Sequence, residues 1–236
     1  MKDYMSPIII KGLKVYPFHS MDELVKECLN EKKLVLSVNA EILMRADDEM
    51  KTIINEHIGY ADGIGTVKAL RQKGAKNVHR IPGCELWMEL IKKYGDKHKY
   101  FLCGSTSEVI GQVVEKLQEE YPHLQIVGYR DGFFKREEEF KQLEDILIKE
   151  VPDFVFVATG FPFQEKLMAR LWSKYPATYL SLGGSFDVYA GAVKRAPRPF
   201  QRLGLEWFYR LIKQPIRIKR QFVLIQFVWL YLTRQL

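Results

Sequence analysis

Short apolar runs of strand length alternate with longer amphipathic runs through the first 190 or so residues, and this alternation constrains the fold more than any other feature. The short runs lie at 8–10, 34–38, 100–103, 125–127, 154–158 and 178–182. Each is rich in β-branched or aromatic residues and bounded by polar residues or glycine, as strands are. Helical patterns fall between them at 21–31, 48–57, 63–73, 84–94, 107–121, 135–149 and 163–175. Ser107, followed by Glu108 and a periodic Val/Ile/Val/Leu series, reads as the start of a capped amphipathic helix. Strands alternating with helices predict an α/β fold, with a mostly parallel sheet covered by helices on both faces.

From about residue 190 the pattern changes. Strand-like runs stop, and two helices are expected at 200–213 and 216–233, divided at Gln214-Pro215 because proline disfavours a continuous helix. The expected division is a catalytic body at 1–192 and a helical appendage at 193–236. Residues 194–220 carry nine Lys/Arg against one acid, Glu206, whereas the whole chain has a net charge of +7, so the body is nearly neutral. A localised surplus points to a localised anionic partner: lipid headgroups, nucleic acid or a phosphorylated ligand. Arg210, Lys213, Arg217 and Arg220 are spaced to share a helix face, which Pro215 interrupts. Next comes an apolar run of eleven residues at 222–232, about 16 Å long as a helix and too short to span a bilayer. Its Phe222, Phe227, Trp229 and Tyr231 suit contact with a membrane interface. A second protomer is the other partner open to this apolar run. Three cysteines without CxxC spacing argue against a disulfide scaffold and favour a reducing compartment. No signal peptide is expected from the N-terminal residues.

In parallel sheets, ligands bind where strands end and helices begin. Four such loops carry polar groups: Ser37-Val38-Asn39-Ala40-Glu41, Ala61-Asp62-Gly63, Thr159 to Glu165, and Gly183-Gly184-Ser185-Phe186-Asp187. Asp62 is the best candidate for a general base, and an N-cap on the following helix is its ordinary role. Asp187 has the same two readings. Gly183-Gly184 permits close approach of a phosphate but serves equally as a turn. Gln164 offers a donor and an acceptor to a sugar or uracil edge, while Asn39 suits a turn. The chain has no GxGxxG, no Walker loop and no DxD motif. Its histidines lack metal spacing and Asp47-Asp48 reads as a helix cap, so neither metal nor cofactor is expected.

Taken together, several ordered motifs resemble the WecG/TagA/CpsF glycosyltransferases along nearly the whole chain. They are Val38-Asn39-Ala40-Glu41, Tyr60-Ala61-Asp62-Gly63, Gly160 to Glu165, Gly183 to Asp187 with Gly191, and Lys194-Arg195-Ala196-Pro197. The series continues through residues 203–210 and Gln214-Pro215 with Arg217 and Arg220. The resemblance implies a Rossmann-like, metal-independent, inverting enzyme at the cytoplasmic membrane face. It would move an N-acetylmannosamine-type sugar from UDP to undecaprenyl-diphosphate-linked N-acetylglucosamine for a cell-surface polysaccharide. It assigns the base to Asp62 and donor binding to Ser37, Asn39, Arg80, Gln164, Gly183, Gly184 and Asp187. Arg195, Arg210, Arg217 and Arg220 would hold the lipid diphosphate. Ser37-Val38 departs from the Thr-Pro of the teichoic-acid branch, and the chain looks closer to the branch using UDP-N-acetylmannosaminuronic acid. Another UDP-hexose donor is the alternative. A non-catalytic membrane scaffold or nucleic-acid-binding protein is the rival of another class. The latter is disfavoured because aromatics and basic residues are not interleaved as a stacking platform requires.

Overall fold

The computed structural model describes residues 6–202, 206–213 and 218–236, with side chains at 6–201, 206–209 and 222–236. A hairpin comes first: β1 (Ile8–Ile10) and β2 (Leu13–Val15), antiparallel. Lys11 and Gly12 close it with φ of 51° and 81°, the left-handed pair that a tight two-residue turn requires. Six further strands form one parallel sheet: β3 (Leu34–Val38), β4 (Ile58–Ala61), β5 (Lys99–Gly104), β6 (Gln125–Arg130), β7 (Phe154–Ala158) and β8 (Thr178–Ser181). Their order across the sheet is β4-β3-β8-β7-β5-β6. Tyr16 donates its backbone N–H to Gly59 O at 2.8 Å, so the segment after the hairpin covers the β4 edge.

Both faces are buried, which explains why the central strands read as unbroken apolar runs. On one face Leu34, Leu36, Val38, Val155 and Val157 meet α2 (Ala40–Arg45), α3 (Asp48–Glu56), α4 (Ile64–Gln72), α7 (Glu137–Glu150) and α8 (Phe163–Lys174). On the other, Val35, Leu102, Phe154, Phe156 and Leu180 meet α1 (Met21–Asn30), α5 (Gly83–Tyr94), α6 (Ser107–Glu120) and α9 (Ser185–Tyr189). The predicted α/β architecture with a mostly parallel sheet is therefore the one observed.

Some elements differ from the expectation. β2, β4, α2 and α9 were not anticipated; of the expected helix at 200–213, the described residues lie in α10 (Arg198–Arg202) and α11 (Glu206–Lys213). β4 reads Ile-Gly-Tyr-Ala, too short and glycine-broken to announce itself, yet every residue in it is buried.

The strand order places the topological switch between β7 and β5. From β5 the chain passes through α6 outward to β6; from β7 it passes through α8 the opposite way to β8. Loops leaving adjacent strands in opposite directions open a crevice at the carboxyl edge.

The tail's last helix, α12 (Ile218–Leu232), packs on α2. Phe227 and Leu230 are 5% and 8% exposed and belong to the core. Among the described residues no helix is long and apolar enough to cross a membrane. The expectation that all four aromatic residues of this run meet lipid needs correction. Helical periodicity turns Phe227 and half-buried Tyr231 toward the body, while Phe222 and Trp229 point outward, 69% and 57% exposed. Ile225, Val228 and Leu232 complete the outward row. We expect Phe227→Ala to cost about 3 kcal/mol in a urea titration, and Trp229→Ala about 0.5 kcal/mol or less. Equal losses would contradict this packing.

Candidate active site

At the carboxyl edge, the candidate residues are drawn together by contacts between loops distant in sequence. Asp62 follows β4 and is half-buried. It does not cap the helix that follows it: α4 has Gly63 at its N-cap and no side-chain cap bond. Instead, Asp62 Oδ1 accepts from the Gly83 N–H at 3.0 Å, in the first turn of α5. The carboxylate thus meets the electropositive N-terminus of a helix 21 residues away in sequence. Gly83 is tightly packed, since a Cβ there would lie 3.1 Å from the Tyr60 hydroxyl. That hydroxyl is buried without a partner among the described residues. Burial first, and the neighbouring Asp62 second, push its pKa well above the ordinary tyrosine value, so it stays a neutral phenol beneath the carboxylate.

Asn39 caps α2, its Oδ1 accepting from the Ile42 N–H at 3.1 Å, which is its ordinary structural role. The loops of Asn39 and Asp62 touch: a Cβ on Gly63 would stand 3.1 Å from the Asn39 Cβ. Ser37 and Ser181 pair between β3 and β8, with the Ser37 N–H donating to Ser181 Oγ at 2.8 Å. Asp47 caps α3 by accepting from the Met50 N–H, as its spacing predicted.

Gln164 is 2% exposed, less accessible than a residue reading a sugar edge would be. Its Oε1 accepts from the Gly183 N–H at 2.8 Å and its Nε2 donates to Glu165 Oε1 at 3.0 Å. The amide therefore braces the Gly183-Gly184 turn, where Gly183 takes a φ of 55°. Asp187 sits within α9 and accepts from Ser105 Oγ at 2.9 Å, so it too joins two loops rather than capping its own helix.

Two loops of the crevice were missed at the sequence level. One is Gly104-Ser105-Thr106 after β5; a Cβ on Gly104 would strike Ala158 O at 2.5 Å, which fits the β5 and β7 ends together. The other is Asp131-Gly132 after β6, where Asp131 accepts from Ser107 Oγ at 2.7 Å and a Cβ on Gly132 would strike Thr159 Cγ2 at 2.7 Å. A small-polar pair directly after a strand was the available signal in both. Cys84, beside Asp62, is no nucleophile, because burial pushes its thiol up to about 11. Among the described residues no group of three or more His, Cys, Asp or Glu is placed to hold a metal.

Arginines gather beside this edge around Glu206. Glu206 on α11 accepts from Arg80 Nη1 and from Arg195 Nε, each at 3.2 Å, and Arg195 also pairs with Glu85 of α5. Arg80 precedes the Pro82-Gly83 turn that meets Asp62, so one carboxylate of the tail joins two guanidinium groups next to the candidate base. In the sequence Glu206 stands out as the lone acid of a basic stretch and as part of the 203–210 motif, with no pairing role assigned to it. The side chains of Arg210 and Arg220, and Arg217 entirely, lie outside the described residues.

A parallel α/β body with polar loops gathered at its carboxyl edge is a Rossmann-like architecture, in which ligands bind at that edge. A model of the glycosyl transferase WecG/TagA/CpsF family matches residues 10–236, and the chain belongs to that family. It is a glycosyltransferase of cell-surface polysaccharide synthesis, using a sugar-nucleotide donor and a lipid-linked acceptor.

Glu165 makes the site's packing measurable. It is 1% exposed, its Oε2 has no partner among the described residues, and burial raises its pKa above the usual 4.5. A carboxyl kept neutral by the fold contributes stability that is fully present below the unfolded pKa and is lost as pH rises through the native pKa. Glu165→Gln stays neutral at every pH. Urea titrations across a pH series should show wild type losing stability relative to Glu165→Gln as pH rises above about 4.5. Parallel pH curves for the two proteins would contradict the assignment.

Proposed function

We propose that the protein is an inverting transferase that moves N-acetylmannosaminuronate, or N-acetylmannosamine, from UDP to undecaprenyl-diphosphate-linked N-acetylglucosamine at the cytoplasmic membrane face. The observation carrying this reading is the position of Asp62: a half-buried carboxylate at the carboxyl end of β4, held by Gly83 N–H, with the Asn39 loop packed against Gly63 and Arg80 three residues before Gly83. Asp62 takes the proton from the acceptor 4-hydroxyl as that oxygen attacks the anomeric carbon. The C1–O bond to UDP breaks on the opposite face, UDP departs with the bonding electron pair, and configuration inverts. The reading uses no metal. Charge on the departing diphosphate falls to Arg80 and to the Gly184 N–H, in a turn that the Gly183 N–H bond to Gln164 holds in place. Ser37, Asn39 and Asp187 shape the donor side, and Arg195, Arg210, Arg217 and Arg220 face the lipid diphosphate. The outward row of α12 lies on the bilayer.

Asp62→Asn is the direct test, because an asparagine Oδ1 can still accept from Gly83 N–H and preserve the loop. Turnover with UDP-sugar and a lipid-diphosphate N-acetylglucosamine acceptor should fall by about 10²–10⁴-fold, with thermal stability unchanged. Near-wild-type turnover in a normally folded variant would remove Asp62 from the base role. A screen of UDP-sugars with the same acceptor identifies the donor, and turnover restricted to a donor outside the N-acetylmannosamine type would overturn that part of the reading.

A further inference from the structure

From Gly63 to Cys84 the chain contains no acid but carries Lys68, Arg71, Lys73, Lys76 and Arg80. Three of these cations converge with one from the end of the tail. Lys68, Arg71, Lys73 and Arg234 line a groove of about 670 Å³ between α4 and the residues closing α12, with Tyr231 on its wall. None of the four makes an ion pair among the described residues. Arg71 is fixed in place by donating to Val78 O at 2.9 Å. Gln72 donates to Tyr231 O at 2.8 Å and fastens the end of α12 to α4.

The two helices meet at two points. At the start of α4, a Cβ on Gly65 would lie 3.0 Å from Phe227; at its end, Gln72 reaches Tyr231. The outward row of α12, with Phe222, Ile225, Trp229 and Leu232 each 57–72% exposed, ends at Leu232, between the groove-lining residues Tyr231 and Arg234. An apolar row ending at an unpaired cation cluster matches the layered chemistry of a bilayer surface: acyl chains below, phosphates at the rim.

We propose that the groove between α4 and the end of α12 is a headgroup site for anionic phospholipid. The inference rests on the reading that α12 lies on a membrane, and adds to it a place and a lipid class. α4 begins two residues after Asp62 and is nine residues long, so the groove stands about 13 Å from the candidate base along one rigid helix. Contact at both the apolar row and the groove fixes how α4 is carried over the bilayer, and with it the height of the crevice.

Sedimentation of the full chain with vesicles tests this. Vesicles of phosphatidylcholine alone are compared with phosphatidylcholine vesicles carrying phosphatidylglycerol. Wild type should prefer the anionic vesicles. Lys68→Gln with Lys73→Gln should lower partition into them on the order of thirty-fold, at about one factor of five per cation, with neutral-vesicle binding and thermal stability unchanged. Trp229→Ser with Leu232→Ser should lower binding to both kinds. A lysine variant that retains the wild-type preference for anionic vesicles, while the Trp229/Leu232 variant loses binding, would overturn the headgroup site and leave the membrane reading standing. A wild type that binds neither vesicle, or instead binds DNA in a salt-sensitive manner, would overturn both.

Discussion

One hydrogen bond orders much of this molecule's chemistry: the Gly83 N–H held by the Asp62 carboxylate. It ties the end of β4 to the start of α5 and brings a negative charge to a helix N-terminus, where such a charge is stabilised. Glycine suits position 83, because a Cβ there would crowd the Tyr60 hydroxyl at 3.1 Å. With that contact made, the Asn39 loop packs on Gly63, Arg80 lies just upstream, and the candidate base has a fixed position at the carboxyl end of β4.

The tail depends on the same region. Glu206 joins Arg80 of the body to Arg195 of the connecting segment, with all three side chains only 16–25% exposed. Partly buried, branched ion pairs of this kind act more strongly as geometric restraints than as isolated surface pairs. α12 then lies back across α2 and α4, burying Phe227 and Leu230 and leaving an apolar row outside. A carboxylate at one end and two apolar anchors at the other hold the appendage against the catalytic body.

Local chemistry was legible in the sequence; long-range pairing was not. Runs such as 34–38 and 154–158 are apolar throughout because both faces of a parallel sheet are covered, and both were read as strands with the bounds observed. Helices of three turns or more were recognised from their period, whereas the six residues of α2 were too few to show one. The loops after β3, β4, β7 and β8 were singled out because they carry polar groups where strands lead into helices. The Ser105 and Asp131 loops offered only a small-polar pair after a strand, and their part in the crevice follows from the order β4-β3-β8-β7-β5-β6, which no local pattern encodes. Asp62 shows the limit most clearly. The sequence offered a base or a cap for the next helix, and the fold makes it the partner of a helix one element further on. Glu206 and Glu165 likewise acquire meaning only through residues far from them in the chain.

The central claim is that one carboxylate, Asp62, drives a single displacement at the anomeric carbon. The anomeric configuration of the product, read by NMR from the one-bond C1–H1 coupling of the transferred sugar, tests it most directly. The account predicts inversion relative to the UDP-sugar. Retention would require a covalent or otherwise double displacement and would contradict it.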